Sequence, residues 1–211
     1  MYKDFEKANN THCSVPNVFP SISASIGNYE PQSTIWASAI YTHAPIRLFL
    51  IYLRWNCYRN IIRDDLKIIV NFAVFLNVIE NFTLIGLTYW TSLKHYPYHE
   101  ACFKTFIGTS IFYMLFMCVL LTKYRRRPAT SKRQMYSVKL KRRAFVINAC
   151  SFTLAAYFFL RHNRLCEPYV YSMFGLSEYI VVISNISFHL TTVYDLPRQY
   201  IYINKRGLSI G

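Results

Sequence analysis

Acidic residues and glycine are the scarce components of this 211-residue chain: ten Asp and Glu stand against 24 Lys and Arg, and there are six glycines. Neither a P-loop nor a GxSxG turn is present, which excludes phosphate-cradling and nucleophile-elbow chemistry of those types. The six cysteines form no CxxC pair and the six histidines show no ligand spacing, so neither a metal nor a cofactor is expected. There is no internal repeat and no low-complexity tract. The opening MYKDFEKANN lacks an apolar stretch, so no signal peptide is expected in it.

What is abundant is apolar. Hydrophobic residues make up 53% of the chain and aromatics 18%. Apolar runs of roughly 17 to 25 residues recur, the length a helix needs to cross a bilayer core. The pattern predicts an all-α polytopic membrane helix bundle, one domain over 1–211, with about five transmembrane helices near 36–55, 68–90, 105–122, 144–160 and 169–194. His43, Pro45 and Arg47 interrupt the first run, which leaves a re-entrant or interfacial helix as its alternative. Trp36, Trp55, Tyr89 and Trp90 fall near proposed ends, where amphipathic rings favour the interface.

The net charge of +14 invites a nucleic-acid reading, but its distribution opposes one. Residues 123–143 hold ten Lys and Arg, and short loops of that kind stay cytoplasmic and attract anionic lipid. Arg54, Arg59, Arg63 and Lys67 mark the first connector, and Arg198, Lys205 and Arg206 the tail at 195–211, as lying on the same side. Residues 1–35 and the loops around His99 and Cys166 then face the lumen. In that oxidising compartment Cys13 is expected to pair with Cys166, with Cys102 as the competing partner. The sequon at Asn9 is exposed to glycosylation if lumenal, whereas those at Asn81 and Asn185 are buried in spans.

Three residues interrupt the last apolar run: Glu178, Asn185 and His189. With Tyr171 they are spaced 7, 7 and 4 apart and so form one stripe on a helix. The second span repeats the pattern with Asn77, Glu80, Asn81 and Thr88. Counting about 1.5 Å per residue from the lumenal ends, Arg47, Glu80 and Glu178 each lie roughly 15 Å deep, near the middle of a core about 30 Å thick. An unpaired charge there costs several kcal/mol, so the three should meet or some should be neutral. Either they glue helices together or they line a cavity for a polar headgroup or a proton path. Arg161, His162, Asn163 and Glu167 form a second cluster at the lumenal surface, where a histidine could serve as a general base, with a headgroup-binding or merely interfacial role as the equal alternative.

These residues carry a resemblance. The stretches THCSVPNVFPSISASIGNYEPQ (11–32), NVIENFTLIGLTY (77–89), HE at His99 and RHNRLCEPYVYSMFGLSEYIVVISNISFHLT (161–191) resemble the post-GPI attachment to proteins factor 2 family. The resemblance implies a multi-pass membrane protein of the Golgi apparatus, with the endoplasmic reticulum as the alternative. It implies lipid remodelling of glycosylphosphatidylinositol (GPI) anchors, in which an unsaturated chain is removed and a saturated one restored. Its partners would be GPI-anchored proteins, membrane lipids and other remodelling enzymes. Whether such a chain is itself the acyltransferase or an escort presenting the lyso-anchor stays open. For an acyl transfer, His43, His162 and Glu178 are the candidate catalytic residues. Arg47, Glu80, Asn81, Asn163 and Glu167 are the candidate headgroup-binding residues. The family pattern also includes a span upstream of the Thr-His-Cys motif, so this chain reads as shortened there.

Overall fold

Apolar runs become helices in lipid because every backbone polar group must be satisfied within its own segment. The computed structural model describes residues 2–27, 29–127, 129, 131–195, 201–204 and 207–210. Two short helices, α1 (Tyr2–Asn9) and α2 (Ile22–Ile26), lie in the N-terminal segment. Five long ones follow: α3 (Gln32–Ile61), α4 (Lys67–Tyr89), α5 (Tyr96–Lys123), α6 (Lys132–Leu165) and α7 (Val170–Leu190). A last turn, α8 (Thr192–Asp195), precedes a two-stranded antiparallel ribbon of β1 (Ile201–Asn204) and β2 (Gly207–Ile210). Short connectors make successive long helices run in opposite directions. The chain is a multi-pass membrane protein: the helices ending at Tyr89, Lys123, Leu165 and Asp195 are each long and apolar enough to span a bilayer.

The fifth long helix, α3, is long enough but more polar, and its packing explains how it is held. Its buried residues are Ala44, Arg47, Ile51, Arg54 and Tyr58, a 3-4 spacing that forms one seam along the helix. Polar rungs fix that seam to α4 in antiparallel register. Trp36 Nε1 donates to Thr88 Oγ1 (3.2 Å), Asn81 Nδ2 to the Ala44 carbonyl (3.3 Å) and Trp55 Nε1 to Asn71 Oδ1 (2.8 Å). Each such bond is worth about 0.6–1.7 kcal/mol between membrane helices. The interrupted first run is thus a continuous helix lying along α4.

The apolar core lies toward the end where α5 finishes and α6 begins, around Tyr58, Val70, Tyr113, Met117, Leu121 and Phe188. Helix α6 starts at Lys132, capped by Ser131 Oγ accepting from Gln134 N (3.1 Å). Residues 132–143, expected to belong to a basic loop, are therefore helical. Lys141 among them is buried, with its Nζ 2.5 Å from Asp195 Oδ2 and 3.0 Å from Ser137 Oγ. Tyr58 Oη donates to the same carboxylate (2.6 Å), which ties α3, α6 and α8 together.

Candidate functional site

Two polar centres stand in the bundle, one at its N-terminal end and one at mid-depth. At the first, residues 11–27 form a strap across the ends of α6 and α7. A disulfide joins Cys13 to Cys166. Val18 N and Phe19 N donate to Ser172 Oγ (2.7 and 3.2 Å), and Tyr169 N donates to the Pro16 carbonyl (2.9 Å). The short α2 is capped twice, by Ser21 Oγ accepting from Ala24 N (3.1 Å) and by Glu178 Oε2 accepting from Ile22 N (2.8 Å). Glu178 thus has a backbone N–H as its partner, with no cation beside it among the described residues.

His162 is buried beneath the strap. Its Nε2 lies 3.0 Å from Thr11 Oγ1, and its ring packs on those of Tyr171 (centroids 5.1 Å apart) and His12 (5.6 Å). Nδ1 is buried without a hydrogen-bond partner among the described residues. Tyr171, whose ring packs on His162, donates from Oη to Ser21 Oγ (3.0 Å), and Glu178 bonds the backbone of the next residue, Ile22. His12, Cys13 and His162 present atoms within 4.8 Å of one another, but the disulfide removes Cys13 as a thiolate ligand. His99, expected in a solvated loop, is instead buried in the first turn of α5. Its Nδ1 donates to the Trp90 carbonyl (2.7 Å), which leaves Nε2 to accept from Ser23 Oγ (3.0 Å). Asn9 is likewise buried, its Nδ2 donating to the Phe5 carbonyl (3.0 Å). At the rim, Arg161 grips Glu167 with bonds of 2.5 and 2.8 Å, and this hydrogen bonding holds the Glu167 carboxyl below the ordinary carboxylate range.

The mid-depth centre converges on Glu80, which is fully buried. Its Oε1 accepts from Arg47 Nη2 (3.2 Å), Asn185 Nδ2 (2.9 Å) and His189 Nε2 (3.0 Å). Asn185 also donates to Ser110 Oγ on α5 (2.6 Å). Arg54 Nη1 lies 3.0 Å from His189 Nδ1. Because guanidinium can only donate, that nitrogen accepts and His189 is the neutral imidazole with its proton on Nε2. The His189 ring stacks on Tyr113 at 5.6 Å, and Arg54 sits 5.8 Å from the same ring. Two arginines against one carboxylate leave this interior one positive charge in excess. Glu80 Oε2, Asn81 Oδ1, Asn77 Oδ1 and Arg54 Nε are buried there without partners, each at a cost of about 1–3 kcal/mol.

The residues expected to meet therefore sort differently. Arg47 and Glu80 do pair, but Glu178 stands apart from them under the strap, while Asn185 and His189 of the same stripe reach Glu80. His43 and Asn163 are exposed on the surfaces of α3 and α6, outside both centres. Arg54, which reads as a connector charge, is buried, and Tyr113 and Ser110 complete the centre without a signal of their own. The Arg47–Arg54 spacing of seven residues is the one sequence feature that places both arginines on the same face.

Comparison with known proteins identifies relatives over nearly the whole chain. Residues 1–199 match the Frag1/DRAM/Sfk1/Cwh43P N-terminal domain family. A Drosophila melanogaster protein named post-GPI attachment to proteins factor 2 is 43% identical over 99% of this chain and 82% of its own. The Caenorhabditis elegans protein of that name is 38% identical over 94% of this chain and 78% of its own. A Xenopus tropicalis protein named acyltransferase PGAP2 is 34% identical over 97% of this chain and 81% of its own. No solved structure matches the chain. With 43% identity over 99% of its length and a family model matched over residues 1–199, the chain belongs to the post-GPI attachment to proteins factor 2 family.

Proposed function

We propose that this protein acts in the lipid remodelling of GPI anchors during maturation of GPI-anchored proteins, by reacylating the lyso-GPI with a saturated fatty acid. The names of its relatives support the pathway, and one of them, acyltransferase PGAP2, supports the reaction class. In this reading the strapped end faces the lumen of the Golgi, the basic end faces the cytoplasm, and GPI-anchored proteins and membrane lipids are the partners. The endoplasmic reticulum membrane is a second location consistent with the reading.

The observation that carries the chemistry is His162, whose Nδ1 is buried beneath the strap with no partner among the described residues. In the tautomer that donates from Nε2 to Thr11, Nδ1 is a free base. The glycerol hydroxyl of a lyso-anchor brought under the strap gives its proton to Nδ1 as its oxygen attacks the carbonyl of an acyl donor, and the imidazolium then protonates the leaving group. Glu178 is the proposed positioning residue: it holds the first turn of α2 at Ile22 N, and the adjacent Ser21 accepts from Tyr171, whose ring packs on His162. Asn163, Glu167 and, deeper, Arg47, Glu80 and Asn81 are the proposed headgroup contacts. His43, on the exposed face of α3, has no part in this mechanism. A non-enzymatic escort is the second reading, favoured by the engagement of Glu178 with a backbone N–H instead of with His162.

Two experiments test this. The chain is expressed in cells lacking the family member, and surface GPI-anchored protein is measured by flow cytometry for the parent, His162→Ala, Glu178→Gln and Glu80→Gln at matched levels. Purified chain in vesicles is then assayed for acyl transfer to a lyso-GPI. Transfer by the parent, abolished in a folded His162→Ala, excludes the escort; rescue and lyso-GPI binding without transfer exclude the enzyme.

A further inference from the structure

A groove of about 1110 Å³ between the end of α5 and the first half of α6 belongs to neither polar centre. Its lining includes Lys123, Arg125, Lys139, Arg142 and Arg143 and, among the described residues, no Asp or Glu. The nearby acids are already engaged: Asp64 by Lys67 and Arg126, Asp65 by Arg63, and Asp195 by Lys141. The rest of the lining is mainly apolar, including Leu121, Val138, Val146 and Ile147. A second cavity of about 340 Å³, bounded by Ile180 and Ile183 of α7, lies on the other flank of α6 and shares Arg143 and Ile147 with the first. The ridge of Arg143 and Ile147 thus divides two apolar troughs below one cationic rim. Four helical residues rise about 6 Å, so the apolar floor at Val146 and Ile147 lies one turn deeper in the bundle than Arg142 and Arg143.

We propose that this double trough is a binding site for a glycerophospholipid whose headgroup carries more than one phosphate, taken from the leaflet at the basic end. The phosphates sit on Lys139, Arg142, Arg143 and Lys123, and one acyl chain lies in each trough. Five cations gathered without a counter-anion match several negative charges better than one. Two troughs suit a diacyl lipid, whereas a single-chain acyl thioester fills one. A soluble polyanion leaves both apolar floors uncovered.

The test uses the purified full-length chain in detergent, incubated with equal amounts of phosphatidylinositol 4-phosphate and phosphatidylcholine and read by native mass spectrometry. The expected result is at least a tenfold preference for the phosphoinositide. Arg142→Gln with Arg143→Gln should abolish that preference. Ile147→Trp, which crowds both troughs, should lose the lipid yet bind soluble inositol trisphosphate as the parent does. All three side chains are exposed, and unchanged melting by circular dichroism confirms folding; Lys139→Gln, expected to weaken binding severalfold, replaces any variant that fails that control. Equal retention of phosphatidylserine at matched charge, displacement by an acyl-CoA, or full retention by the double variant would each overturn the proposal.

Discussion

Replacing Glu80 by Gln separates charge from hydrogen bonding at the centre of the bundle. The three donors, from Arg47, Asn185 and His189, all meet at Oε1, while Oε2 has no partner. A glutamine can therefore keep its oxygen at the meeting point and set its amide nitrogen at the unpartnered position. What is lost is the anion opposite Arg47, in a pair whose side chains are 9% and 0% exposed. Leaving one member of a buried ion pair behind costs about 3–5 kcal/mol. With the hydrogen bonds retained, Glu80→Gln should fall near the lower figure, roughly 3 kcal/mol. Glu80→Ala forfeits those bonds as well, at about 0.6–1.7 kcal/mol each, and should cost about 5 kcal/mol or more. Arg47→Met combined with Glu80→Gln removes both charges and should cost about 1–2 kcal/mol less than Glu80→Gln alone. The assay is unfolding of the purified chain in mixed micelles by increasing sodium dodecyl sulfate, followed by far-ultraviolet circular dichroism as a double-mutant cycle. If the single costs simply add within about 0.5 kcal/mol, or Glu80→Gln is as stable as the parent, the pair is not a charged one and the reasoning fails.

Other expectations follow from the strap. Cys13→Ser should destabilise the docked strap by about 2–4 kcal/mol, seen as faster amide exchange across 15–27 with α4 and α5 unchanged; equal acceleration in all helices would contradict a local tie. Gly175→Ala places a Cβ 2.9 Å from the carbonyl oxygens of Phe19 and Pro20. Because that backbone cannot yield easily, the substitution should cost about 1–3 kcal/mol and raise strap exchange in the same way. Gly108 has nothing within 4 Å of the added atom, so Gly108→Ala should stabilise α5 by about 0.5–1 kcal/mol, read as a higher melting temperature. The Glu167 carboxyl lies below its ordinary value of 4.5 through its bonds to Arg161. Its contribution is therefore complete above about pH 4.5 and is lost as the pH falls through the lower folded value. Protection factors at 166–169, which correct for the intrinsic pH dependence of exchange, should stay flat from neutral pH to that point, fall below it, and lose this pH response in Glu167→Gln.

The helical bundle was legible because a bilayer-length apolar run has few alternatives in lipid. Boundaries were less so. Helix α6 begins twelve residues before the expected 144, since Lys132 to Arg143 is too basic to register as a span, while the Ser131 cap and the buried Ser137 and Lys141 still make it helical. Arg54 read as a connector charge because basic residues near a span end usually set orientation; its burial depends on α7 and α8 packing against α3. The stripe from Tyr171 to His189 was visible as a stripe, but seven residues between Glu178 and Asn185 amount to about 10 Å along the axis. That distance puts one beneath the strap and the other beside Glu80.

Sequence alone determined that the chain enters a membrane many times, that polar and ionisable side chains lie inside the spans, and that they fall on inward faces. Those properties follow from composition and from the fixed 100° turn of a helix. Only the tertiary structure decided partners: Arg47, Asn185 and His189 to Glu80, Ile22 to Glu178, Asp195 to Lys141. Helical periodicity fixes a residue's azimuth on its own helix. Partner choice also requires the axial stagger and the neighbour order of helices distant in the chain, which packing sets.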